Sequence, residues 1–168
     1  MSYVTRALIA PAIIIVFSLG NVGCEFAPNI VDNSSDANSP RPGPDVEYIP
    51  GPPGLPFSSA VRVDNMLYVS GQLGAEPGAT SVVEGGVQAE TRQTMENIKS
   101  VLERNGLSLD NVVKCTCMLA DISEWAEMSK EYIKFFPKNK PARSAFAGTG
   151  LAMGARVEIE CIATVNEE

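Results

Sequence analysis

Gly86-Val87-Gln88-Ala89-Glu90-Thr91-Arg92-Gln93-Thr94-Met95-Glu96-Asn97-Ile98-Lys99-Ser100-Val101-Leu102-Glu103-Arg104-Asn105 is the stretch on which the fold turns. Val87, Thr91, Met95, Ile98, Val101 and Leu102 recur at helical spacing on one face. Glu90, Arg92, Glu96, Lys99 and Glu103 fall largely on the other. Gly106 follows where a helix commonly stops. A helix with one apolar stripe must lay it on another element, and the flanking segments read as strands.

Upstream, Val61 and Val63, then Met66-Leu67-Tyr68-Val69-Ser70, read as two strands joined by a turn at Asp64-Asn65. Leu73 to Gly86 carries Pro77, Gly78, Gly85 and Gly86 and reads as a loop, with a short extra strand expected at Ser81-Val82-Val83. Downstream, Val112 to Leu119 reads as a strand with apolar or small residues on both faces. Asp121 followed by Glu124 predicts a capped helix start, and Trp125, Met128, Tyr132 and Phe135 follow at helical spacing until Pro137. Ala142 to Ala147 and Arg156 to Val165 complete the strands; in the latter, Val157, Ile159, Cys161 and Ala163 alternate with Glu158, Glu160, Ile162 and Thr164. The order β-β-(β)-α-β-α-β-β predicts an α+β fold, with both helices on one face of a mixed sheet. The apolar residues on the uncovered face predict contact with another subunit.

Composition narrows the chemistry. The 168 residues contain no histidine, which removes Ser-His-Asp and Cys-His nucleophilic arrangements and any histidine-ligated metal. Proton transfer must then fall to Asp, Glu, Lys, Tyr, Cys or bound water. The net charge of −7 argues against a nucleic-acid partner, because phosphate backbones need a basic face. Cys115 and Cys117 lie two apart on a strand and share a face; with Cys161 they read as small buried residues, a disulfide remaining open. Their spacing is not that of a metal cluster. Lys138-Asn139-Lys140 reads as a solvated turn.

Arg143 and Glu158 stand out as charges within apolar strand sequence. A strand arginine can grip a carboxylate through two parallel hydrogen bonds, and a glutamate can hold and polarise a water. By pattern alone the commoner reading is an ion pair between them, or two solvent-facing charges.

Several short segments add weight to the chemical reading. They are Gly54-Leu55-Pro56-Phe57-Ser58-Ser59-Ala60-Val61, Tyr68-Val69-Ser70-Gly71-Gln72, Val112-Val113-Lys114-Cys115-Thr116, Leu119-Ala120-Asp121-Ile122, Pro141-Ala142-Arg143-Ser144 and Val157-Glu158-Ile159-Glu160-Cys161-Ile162-Ala163. In this order and spacing they resemble the Rid (reactive intermediate deaminase, formerly YjgF) family, from about Gly54 to Val165. The resemblance implies a chorismate-mutase-like sheet, a homotrimer with clefts between subunits, and no metal or organic cofactor. It implies hydrolysis of reactive 2-imino acids to 2-keto acids and ammonia, as a 2-iminobutanoate/2-iminopropanoate deaminase does. By the same resemblance Arg143 holds the substrate carboxylate and Glu158 positions water. Gly71 and Ala145 line the pocket through their backbones, Ser70 offers a hydroxyl, and Phe57 lies in the pocket. Phe57, Ala145 and Ser129 stand where family members often carry Tyr, Cys and Asn. The alternatives are a catalytically weak Rid-fold protein that binds small carboxylates or protein clients, and a ribonuclease, which the acidic charge disfavours.

The N-terminus reads as an export signal over residues 1–23. Arg6 is the only charge before Cys24, Ala7 to Gly20 is apolar but short for a membrane span, and Gly23-Cys24 resembles a lipoprotein cleavage box. Residues 24–47, rich in Pro and Ser, read as a linker, and 48–168 as the folded domain. The expectation is an exported, periplasmic lipoprotein that meets the membrane only through this anchor, with Cys24 lipidated.

Overall fold

The computed structural model describes residues 43–165; the expected signal segment, Cys24 and most of the linker lie outside them. Six strands form one mixed sheet in the order β1-β2-β3-β6-β4-β5. They are β1 (Val46–Ile49), β2 (Ala60–Val63), β3 (Met66–Leu73), β4 (Val112–Leu119), β5 (Ala142–Ala147) and β6 (Val157–Thr164). Only β4 and β5 run parallel; every other pair is antiparallel. The helices α1 (Gly86–Arg104) and α2 (Trp125–Tyr132) pack against each other, and α1 lies on β3 and β6.

The stripe of α1 is where its sequence puts it: Val87, Thr91, Met95, Ile98, Val101 and Leu102 are all buried. The helix ends as Gly106 adopts a left-handed φ of 73°. The N–H groups of Gly106 and Leu107 then reach back to the carbonyls of Glu103 and Leu102, at 3.1 and 2.9 Å. The core fills the space between helices and sheet with Leu67, Val69, Met128, Tyr132, Leu119, Val157 and Ile159.

Three expectations change. Ser81-Val82-Val83 is not a strand; Val83 instead donates one hydrogen bond to the Gly74 carbonyl at 2.7 Å within a loop. The additional strand is β1, which pairs with β2 and straddles the expected boundary between linker and domain at residue 48. Glu90 does not face solvent. It is 3% exposed, its Cα and Cβ occupy the space that a side chain at Gly74 would need, and its carboxylate accepts the Arg156 backbone N–H at 2.7 Å. Helical periodicity cannot anticipate this, because the partner is a strand-entry amide 66 residues away.

Asp121 caps a 3-10 turn (Ile122–Glu124) that leads into α2, accepting from the Ser123 N–H at 2.8 Å. Glu124 does not close the capping box; it pairs with the Arg156 guanidinium.

Candidate active site

Along β6, Val157, Ile159, Cys161 and Ala163 are buried under the helices, so Glu158 projects from the opposite, open face. Its carboxylate rests over Gly71. A Cβ added at Gly71 would overlap Glu158 Oε1 and lie 3.0 Å from Cδ. The glycine therefore makes the slot that the carboxylate occupies. Gly71 sits where the β3–β6 register shifts between Val69 and Gln72, a bulge that re-aims the chain beside Glu158. Burial, and secondarily the charge of Glu160, hold the Glu158 carboxyl above its usual range. A raised carboxylate is a better proton acceptor, as a water-activating base requires.

Ser70 lies on the same bulge. Its Oγ donates to the Ser58 carbonyl at 2.7 Å, so the hydroxyl proton is spent and its lone pairs are left to accept. Phe57 is 51% exposed and shares with Gly71 the lining of a cavity of about 540 Å³, which continues between Leu55, Gln72 and Val101 of α1.

Arg143 belongs to a separate place. It lies on β5, an edge strand, opposite Cys115 of β4, so it faces the helix side. Its guanidinium carbon stands 5.3 Å from the Trp125 ring centroid and 5.0 Å from that of Tyr132, both on α2. Two aromatic faces thus hold the cation in place while leaving its N–H edges open. Ala145, two residues along β5, shares this side. Ser129, Lys130, Lys140 and Pro141 complete a cavity of about 480 Å³ around Arg143. Lys140 is thus part of a cavity wall as well as of a turn.

Within one chain these halves do not converge. Arg143 aligns with Cys115, Cys115 aligns with Cys161, and Glu158 is three residues from Cys161 on an alternating strand. Arg143 and Glu158 therefore lie on opposite faces, and the ion pair between them is not formed among the described residues. Ser70, Gly71 and Glu158 come together, as do Arg143 and Ala145; Phe57 joins the first group through the shared cavity.

Beneath Arg143, Cys115 and Cys161 face each other across β4 and β6 and are joined by a disulfide. Cys117 is a free, buried thiol, pushed by burial up to about 11 and so inert as a nucleophile. Trp125 and Tyr132 were legible in sequence only as helix-face residues. That they stack on Arg143 depends on where α2 lies against β5, which spacing does not encode.

A six-stranded mixed sheet with two helices on one face, glutamate over a bulge glycine and arginine between aromatic rings define an α+β protein of the Rid class. The chain belongs to the family described as endoribonuclease L-PSP, whose model matches residues 51–165. It is 44% identical over 108 residues to the 2-iminobutanoate/2-iminopropanoate deaminase of Bos taurus, covering 64% of this chain and 79% of that one. It is 39% identical over 117 residues to the RutC family protein PH0854 of Pyrococcus horikoshii, covering 70% and 92%. Among solved structures it resembles yeast Mmf1 with a TM-score of 0.68 at 32% identity, covering 73% of this chain and all of that one. The YjgF gene product of E. coli gives 0.64 at 31%, covering 71% and 94%.

Proposed function

We propose that this protein is a hydrolytic deaminase of reactive 2-imino acids, with each site built between two copies of the chain in a homotrimer. The observation that carries the reading is the half-buried Glu158, its carboxyl raised and seated over Gly71, in a chain that also carries a strand arginine free of any ion pair among the described residues. The deaminase relatives, 41–44% identical, point the same way. Arg143 of one copy grips the carboxylate and fixes the imine carbon. Glu158 of the neighbouring copy orients a water and takes a proton as the oxygen bonds to that carbon. The C=N π electrons move to nitrogen. Glu158 then returns the proton to nitrogen, giving a carbinolamine; it next takes the hydroxyl proton and passes it to nitrogen, so that the C=O bond forms as the C–N bond breaks, releasing ammonia and the 2-keto acid. One water is consumed for each imine, and no redox step occurs. Ser70, Gly71, Ala145 and Phe57 shape the pocket around these groups.

The open face supports the assembly. Tyr68 and Phe146 project from it, 44% and 50% exposed, and Arg143 sits at the β5 edge where a second copy's open face can reach it. We place residues 1–23 as an export signal, Cys24 as a lipid anchor and residues 24–47 as a tether, with the domain in the periplasm. The Cys115–Cys161 disulfide favours an oxidising compartment.

Imines generated by an amino-acid oxidase and trapped with semicarbazide provide the test. Wild type is expected to lower semicarbazone formation, while Arg143→Ala and Glu158→Gln each fail to. Unfolding and refolding the two variants together should restore activity, because mixed trimers contain some clefts with both native groups. If wild type leaves trapping unchanged for every imine tried, carboxylate binding without catalysis is the better reading. If the variants are inactive but never complement, the site is not shared between copies.

A further inference from the structure

The Arg143 cavity carries more positive charge than a single carboxylate needs. Within one copy three cations line it, Arg143, Lys130 and Lys140, and no carboxylate of that copy does. None of the three has an ion-pair partner among the described residues. This surplus stands in a chain of net charge −7, so it is not a reflection of overall composition. Ser129 Oγ and Tyr132 Oη are buried with no hydrogen-bond partner among the described residues, and Tyr132 is only 3% exposed. Both oxygens are closed off from solvent, so they stand behind the cavity wall and offer nothing to a ligand in it.

We infer that this cavity takes two carboxylates, and that the preferred substrates are 2-imino acids with an acidic side chain, of the four- and five-carbon dicarboxylate class. This deepens the deaminase reading and rests on it. Arg143 holds the carboxylate beside the imine carbon. Lys130 and Lys140, on long flexible stems, reach the side-chain carboxylate. The chemistry at carbon is unchanged: one water in, ammonia out, and a 2-keto diacid as product. Imines with uncharged side chains still bind through Arg143 but leave the lysines unused.

Binding of product analogues tests this apart from catalysis. Calorimetry on the full assembled protein compares 2-oxoglutarate with 2-oxobutyrate for wild type, Lys130→Met, Lys140→Met and the double variant. Wild type is expected to bind the diacid about tenfold more tightly at low salt, with the preference shrinking as salt rises. The double variant should lose most of that preference while its affinity for 2-oxobutyrate stays within twofold. Equal affinity of wild type for the two acids, or a preference that survives in the double variant, overturns the proposal. If the diacid preference is present and depends on the lysines, yet neither imine is hydrolysed, the deaminase reading fails while the dicarboxylate site stands.

Discussion

Gly71→Ala separates the positioning of Glu158 from the stability of the fold. Gly71 has no left-handed φ, so alanine is allowed by the backbone. The new methyl, however, would overlap Glu158 Oε1, with Cδ at 3.0 Å and Cγ at 3.2 Å, inside the 3.4 Å at which ordinary contact begins. Only the far end of a flexible side chain stands in the way, so the clash is relieved by a rotamer change that moves the carboxylate by roughly 1 Å. A displacement of that size at a proton-transfer group lowers the rate by roughly tenfold to a hundredfold, about 1.4–2.7 kcal/mol of transition-state stabilisation. Imine trapping reads kcat, and thermal melting reads stability. The expected result is a large loss of kcat with a melting temperature within about 3 °C of wild type, corresponding to no more than about 1 kcal/mol. Glu158→Asp shortens the acid by one methylene and makes room for the methyl, so Gly71→Ala should do much less further harm in that background. If Gly71→Ala keeps activity within twofold of wild type, Glu158 is not held for catalysis by this contact.

Gly74→Ala should do the reverse, because the added Cβ would lie 2.5 Å from Glu90 Cα and 2.7 Å from its carbonyl oxygen, both backbone atoms that cannot swing away. We expect at least about 2 kcal/mol of destabilisation by urea titration, and a change below 0.5 kcal/mol would contradict the close packing. The pH–rate profile should fall on the acid side with an inflection above 4.5, the ordinary glutamate value, because Glu158 must be ionised to accept a proton and its carboxyl is raised by burial. The same raised value means that Glu158 favours folding below its ordinary pKa and loses that contribution as pH rises through the folded value. Glu158→Gln should therefore melt at or above wild type at neutral pH, and a marked drop there would show the sign to be wrong. Removing the disulfide with Cys161→Ala closes off a cross-link between residues 46 apart, for which chain entropy gives about 4 kcal/mol at most and experience about 2–4. Wild type should lose stability in reductant and the variant should not; a wild type indifferent to reductant would mean that the bond contributes nothing.

The helix stripe, the hairpin at Asp64-Asn65 and the alternation of β6 were legible because each is a local repeat whose buried positions are fixed by period alone. The strand β1 was not, since Val46-Glu47-Tyr48-Ile49 is short, follows a Pro-rich stretch and owes its extended form to pairing with β2. Glu90 was missed for a related reason: its burial is set by a glycine sixteen residues earlier and an amide at residue 156. Arg143 and Glu158 were legible as charges in apolar strands, and the family resemblance gave them roles. Their placement on opposite faces follows from counting alternation through Cys115 and Cys161, which becomes possible only once the register of β4 with both neighbours is known. Trp125 and Tyr132 as supports for Arg143, and the unpartnered hydroxyls near it, depend on side-chain directions at a helix–strand junction that no sequence period describes.

The separation of the two charged groups has a physical use. Glu131 shows what happens when a glutamate and cations share one place: burial would raise its carboxyl, but the hydrogen bonds from Lys134 and Arg92 outweigh it and hold it below the usual range. Such a carboxylate is a poor proton acceptor, and its cations are occupied. Had Arg143 stood beside Glu158 in the same chain, both would have been disarmed in this way, the base weakened and the anchor neutralised. Opposite faces of one sheet prevent it: Glu158 keeps a raised carboxyl under burial and the charge of Glu160, and Arg143 is steadied by the faces of Trp125 and Tyr132 rather than by an acid. In the proposed assembly the two act on one molecule across a boundary between copies, with the imino acid between them. On that proposal its carboxylate would neutralise the arginine as its electrophilic carbon met the water held by the glutamate. Substrate would thus complete the charge balance that the chain by itself avoids.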